Sequence, residues 1–113
     1  MNYRLLQPPP TRLLEFGFSQ LGSYPEVPGC YALANAEGEI LYVGQAASLR
    51  GRLGQHLENG RHRALTTHGR ASQVALVELE NRQTLNAHER GWLNQCELAD
   101  GSMPVLNKIS API

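Results

Sequence analysis

The chain has 113 residues, 42% of them apolar and 18% charged, with ten Lys+Arg against ten Asp+Glu. That length predicts one domain with a short appended arm and excludes two. The composition excludes a disordered chain, and no run of about 18 apolar residues is present to span a membrane. Taken at face value, the zero balance argues against a nucleic-acid binder, whose domains are usually basic.

Pro8, Pro9 and Pro10 stop any regular element at the start. Thr11 is placed to cap a short helix through Gln20, and the turn-rich stretch Gly22–Pro28 closes a helical arm over 1–27. Gly29–Ala34 reads as a strand, Asn35–Glu39 as a tight reversal around Gly38, and Ile40–Gly44 as a second strand, which together predict an antiparallel hairpin. The period then changes: Ser48 caps a helix in which Leu49, Leu53 and Leu57 recur every fourth residue, ending near Asn59-Gly60. A polar, basic loop follows over Gly60–Ser72, then a strand over Val74–Leu79. Thr84 is expected to cap a second helix reaching about Leu98, and Met103–Ile113 reads as an irregular tail in which Pro104 prevents an early helix. The order (α)ββαβα predicts a small α/β (α+β) sandwich with a three-stranded, mainly antiparallel sheet, its main domain over 28–108 and a tail over 109–113. Cys30 and Cys96 lack metal-ligand spacing and are too few for a disulfide scaffold, and Met1–Pro10 holds no apolar run long enough for a signal peptide. The expectation is a reduced, cytoplasmic chain.

Three places on this framework carry chemistry. Tyr31 and Tyr42 lie on neighbouring strands where their rings can meet; a cross-strand aromatic pair is the ordinary reading, and the flanking Gly29 and Gly44, which admit another backbone, keep a functional one open. Arg52 and His56, four residues apart on one helix face beside the leucine stripe, suit phosphate binding and proton transfer, or simply a solvated flank. Glu89 sits four residues after Leu85, inside the stripe continued by Trp92, Leu93 and Cys96. A carboxylate there needs a partner, either a core-edge arginine such as Arg52 or a cation, and a single carboxylate with waters and phosphate oxygens commonly holds Mg²⁺. His88 is read as surface or edge, while His62 and His68 have no nameable partner.

Gly29-Cys30-Tyr31, Tyr42-Val43-Gly44 and the run Ser48–His56 closely resemble a GIY-YIG nuclease domain, over about Pro28 to Asn107. The family includes DNA-repair excision nucleases, homing endonucleases, some restriction enzymes and junction resolvases. The resemblance implies a DNA endonuclease using one Mg²⁺ or Mn²⁺ per site. It also implies roles: Tyr31 as the base toward the attacking water, Tyr42 positioning water and phosphate, and Arg52 stabilising the phosphate. His56 would hold or relay the base's proton, Glu89 bind the metal, and Asn107 close the site. A tyrosine is a weak base at neutral pH, and a nearby cation and Arg52 would favour its phenolate. The other readings are a catalytically silent nucleic-acid-binding module and a partner-recruiting scaffold. With so little chain outside the core, a nicking or structure-selective enzyme is expected, its specificity supplied by DNA shape, a homodimer or a partner protein.

The charge balance conceals a footprint. Between Ser48 and Arg70 lie Arg50, Arg52, Arg61, Arg63 and Arg70 against Glu58 alone, so the remainder of the chain is acidic. The expected DNA contacts are therefore Arg50, Arg61, Arg63 and Arg70 beside Arg52, with weak, salt-sensitive binding.

Overall fold

Prolines decide how the chain enters the fold. In the computed structural model, which describes residues 1–110, Pro8–Pro10 keep the backbone extended into a strand, β1 (Arg12–Glu15), where a helix over 11–20 is predicted from sequence. Proline fixes φ and removes amide donors, and the first free amide, Thr11 N–H, bonds Leu76 O at 2.9 Å in place of starting a helical turn. Side chains then alternate in strand fashion, with Leu13 exposed and Leu14 packed against the sheet. Phe18–Ser23 is a 3₁₀ turn, and the buried Tyr24 donates its hydroxyl to Glu15 O at 2.6 Å, tying this segment down. Residues 1–27 thus form no α-helical arm: 3₁₀ turns at Tyr3–Leu5 and Phe18–Ser23 flank β1, which joins the sheet.

The remaining strands are β2 (Gly29–Ala34), β3 (Ile40–Ala46) and β4 (Gln73–Glu78), and the sheet is antiparallel in the order β1-β4-β2-β3. It has four strands where three are predicted, because β1 takes the otherwise open edge of β4. Central β2 is buried throughout and divides its side chains by strand alternation: Cys30, Ala32 and Ala34 on one face, Tyr31 and Leu33 on the other. On the first face the small residues leave room for Trp92 and Cys96 of α2 (Arg82–Asp100). On the second, Leu49, Leu53 and Leu57 of α1 (Leu49–Glu58) pack on Tyr31, Leu33 and Leu76. At about 25 cal/mol per Å², each fully buried leucine contributes about 1.5–3 kcal/mol.

Ser48 caps α1 as expected, accepting from Gly51 N–H. The N-cap of α2 is Asn81 and not Thr84: Asn81 Oδ1 accepts from Gln83 N–H at 2.8 Å, and Thr84 donates to the Asn81 carbonyl. Gly101 ends that helix at φ 77°. The predicted loop 60–72 contains a 3₁₀ turn at Gly60–Arg63. The predicted tail holds a third helix, α3 (Val105–Ser110), because Pro104 opens a helix as readily as it breaks one, and its carbonyl accepts from Asn107 N–H. Residues 111–113 of that tail lie outside the described residues. No described helix is long and apolar enough to cross a membrane.

Candidate active site

Glycine makes the first close approach. Tyr31 on β2 stands opposite Gly44 on β3, and a Cβ at Gly44 would lie 2.6 Å from the Tyr31 hydroxyl and 2.9 Å from Tyr42 Cε2. Gly29 is equally constrained, since a Cβ there would meet Val77 O at 2.3 Å and the Leu49 side chain. The missing side chain at Gly44 lets the Tyr31 ring lie across β3, fully buried, with its hydroxyl 2.5 Å from His56 Nε2. His56 reaches it from α1, one turn beyond Arg52 and beside the leucine stripe. Tyr42 completes a triangle, its ring centroid 6.1 Å from Tyr31 and 5.2 Å from His56. The two tyrosines do form a cross-strand pair, and a histidine is built into it.

A fourth ring joins them that sequence reasoning left without a partner. Asn59 ends α1 and caps the following 3₁₀ turn by accepting from Arg61 N–H, which turns His62 back onto the site. Its ring centroid is 3.9 Å from that of His56, and it meets Tyr42 edge-on at 4.9 Å. His56 and His62 are each only 5% exposed. The one sequence signal for this was the Asn59-Gly60 break, which reverses the chain just ahead of His62.

Burial sets the protonation of the cluster. It pushes Tyr31 well above its usual value, Tyr42 adds to this, and Arg52 opposes both. His56 is lowered to about 3, by burial first, then His62, then Arg52. His62 is lowered by burial and by Arg61. Arg52 acts on Tyr31 in the expected direction, but in the protein alone desolvation outweighs it. The hydrogen bond joins a protonated phenol to a neutral imidazole; with His56 in its Nδ1–H tautomer, Tyr31 O–H donates and Nε2 accepts.

Glu89 approaches from α2, half-buried, and its partner is not Arg52 but Gln45 Nε2, which donates at 3.0 Å and also contacts Asn86. Gln45 follows Gly44 on β3, so this amide links the carboxylate to the tyrosine strand. Among the described residues Glu89 forms no ion pair, and no group of three metal-ligating side chains exists. A partly buried carboxylate that accepts from a neutral amide suits one divalent cation completed by waters and phosphate oxygens. Beside it opens a cleft of about 370 Å³ lined by Arg52, Arg82, Gln45 and Asn86. Arg82, at the first turn of α2, is a second guanidinium in this cleft that the sequence reading did not single out.

The other expected residues divide. Asn107 on α3 is 2.9 Å from both Val43 N and Val43 O, accepting from one and donating to the other, between the strand positions of Tyr42 and Gly44. Arg50 turns away from the cleft: Nε donates to Tyr24 O, Nη1 to Glu26 and Nη2 to Gly22 O, so it clamps residues 22–26. Arg63 lies over the Phe18 ring and reaches Leu57 O; Arg70 is exposed, and Arg61 flanks His62. His68 pairs with Glu39 at 3.5 Å. His88, read as surface or edge, packs edge-on to Trp92 with Nε2 buried and unbonded, because the adjacent turn of α2 faces the same core.

A family model for the GIY-YIG catalytic domain matches residues 27–98. The UvrABC system protein C of Symbiobacterium thermophilum is 39% identical over 62 residues, covering 55% of this chain and 10% of that protein. That of Koribacter versatilis is 33% identical over 79 residues, covering 67% and 13%. The chain therefore spans about a tenth of the length of these curated relatives. Among solved structures, the magnesium-bound GIY-YIG N-terminal endonuclease domain of UvrC from Thermotoga maritima superposes with a TM-score of 0.55 at 20% identity, over 68% of this chain and 85% of that one. A point mutant of the same domain, bound to its catalytic divalent cation, gives 0.56 at 19% with the same coverages.

Proposed function

The chain belongs to the GIY-YIG catalytic domain family, and from that premise we propose that it is a metal-dependent endonuclease hydrolysing DNA phosphodiester bonds. The observation that carries the proposal is the Tyr31–His56 hydrogen bond, buried near a cleft lined by Arg52 and Arg82, with the half-buried Glu89 carboxylate bonded by Gln45 of the same lining. Arg52 holds the non-bridging oxygens of the scissile phosphate, and Tyr42 orients water and phosphate. Tyr31 takes the proton of the attacking water while passing its own to His56 Nε2. That relay removes the need for a free phenolate in a site where burial disfavours one. Glu89 would hold a single Mg²⁺ or Mn²⁺, with Gln45, itself bonded to Asn86, orienting the carboxylate. When bound, that ion supplies positive charge against the phosphate and the departing oxygen.

One carboxylate and one tyrosine make one cut, so the expected products are nicks or structure-selective incisions. Cutting both strands would require a second copy or repositioning, and specificity would come from a homodimer, a partner protein or DNA shape. Asn107 supports the site by fixing β3. Arg61, Arg63 and Arg70 extend the DNA contacts away from the cleft; Arg50 serves them indirectly, by bracing the start of α1.

The test is incubation with supercoiled plasmid, flap and junction DNA plus Mg²⁺ or Mn²⁺. Wild type is expected to nick, with Tyr31→Phe and Glu89→Ala each losing at least about 10²-fold. Equal behaviour of wild type and Glu89→Ala on every substrate would leave a binding or recruiting module as the reading.

A further inference from the structure

We propose that His62 is a positioning residue of this site: packed ring against ring on His56, it shields that imidazole from water and keeps Nε2 turned to the Tyr31 hydroxyl. The functional consequence rests on the reading above, while the structural claim stands on the four-ring cluster alone. His62 lies 3.9 Å from His56 between ring centroids, and both of its ring nitrogens are buried without a hydrogen-bond partner. Leaving two buried polar atoms unmatched is costly, and a phenylalanine or leucine would fill the same space without that cost. Packing alone therefore does not explain an imidazole at this position.

A second imidazole in close, tilted contact accounts for it. The His62 ring removes water from one side of His56, and a proton on either ring opposes a proton on the other at this separation. Among the described residues, the cations facing His56 all oppose a proton on it. Tyr31 and Tyr42 approach from the sheet, Arg52 from α1, and His62 with Arg61 from the 3₁₀ turn. The neighbouring turn Phe18–Ser23 contains no titratable side chain. Kept neutral, His56 has one N–H. With Nε2 accepting from Tyr31, that N–H is Nδ1, and the ring remains ready to receive the Tyr31 proton.

The test reads the His56 imidazole directly, by ¹⁵N-resolved NMR of the full chain between pH 5 and 8, without DNA or metal. Wild type is expected to show a single Nδ1–H tautomer that does not titrate above pH 5. His62→Phe keeps a ring against His56 and removes the competing proton site, so the tautomer is retained and the protonated fraction at pH 5 rises about tenfold, one pKa unit. His62→Ala removes both, and His56 is expected to populate both tautomers and titrate nearer its ordinary value. A His56 signal in folded His62→Phe that matches wild type overturns the proposal, and this arm decides it even if His62→Ala fails to fold. Plasmid nicking is measured in parallel. Inactive wild type with the expected NMR changes would sink the nuclease reading alone; active wild type with unchanged NMR would sink the role of His62 alone.

Discussion

Replacing Gly44 with alanine inserts one methyl group where the Tyr31 ring crosses β3. The new Cβ would lie 2.6 Å from the Tyr31 hydroxyl and 2.7 Å from Cζ, about 0.8 Å short of ordinary contact. The ring cannot yield toward β2, whose backbone it springs from, so the hydroxyl is displaced relative to His56. A 2.5 Å hydrogen bond lengthened by that amount reaches about 3.3 Å, beyond a useful O–H···N contact. Overpacking of this kind costs about 1–3 kcal/mol, and the lost buried hydrogen bond about 1 more. Gly44→Ala is therefore expected to lose about 2–4 kcal/mol of stability by urea unfolding, and about 10²-fold in nicking rate, as a displacement near 1 Å does in a preorganised site. Gly91→Ala, in α2 with no neighbour within 4 Å of the added Cβ, serves as control and is expected to gain about 0.5–1 kcal/mol. A folded Gly44→Ala with wild-type stability and rate would refute the claim that this glycine shapes the tyrosine site.

Asn107→Ala frees both polar groups of Val43 and is expected to cost about 1–3 kcal/mol, with faster hydrogen exchange at the Val43 amide as its specific mark. In DNA-binding titrations, Arg52→Ala should reduce the slope of log K against log salt by about 1, whereas Arg50→Ala should leave the slope and lower the melting temperature. Stability is expected to fall with acidification. His56 has a folded value of about 3 against 6.5 unfolded, so the unfolded state binds the extra proton below about pH 6.5 and folding weakens by up to about 1.4 kcal/mol per pH unit toward pH 4. His62 and His88 are shifted the same way, and His56→Gln should flatten the profile measured by urea unfolding.

What was legible in the sequence was whatever local spacing encodes. The hairpin with Tyr31 and Tyr42, the leucine stripe of α1 and the misplaced carboxylate at Glu89 all follow from periods of two and about four. What was hidden depends on partners distant in sequence. The segment 12–15 is a strand because β4, some sixty residues later, offers an edge; its own Arg-Leu-Leu-Glu pattern is compatible with a helix. His62 sits in a turn with no periodicity, and its burial exists only because Tyr42 and His56 are already together. A count of arginines located the basic segment but could not show that Arg50 faces the protein while Arg82, outside that segment, faces the cleft.

Asn107 has one more consequence, which concerns the outside of the molecule. β3 is an end strand of the sheet, and an end strand presents donors and acceptors on which a foreign chain can add. At Val43 both outward groups are taken by one amide side chain, while the Ile40 amide at the strand's start donates to Met1 O. Two short pieces of the chain, from its opposite ends, thereby occupy the positions a fifth strand would use. The tyrosine strand can remain at the margin of the sheet, within reach of a bulky substrate, without becoming a seed for sheet-to-sheet aggregation.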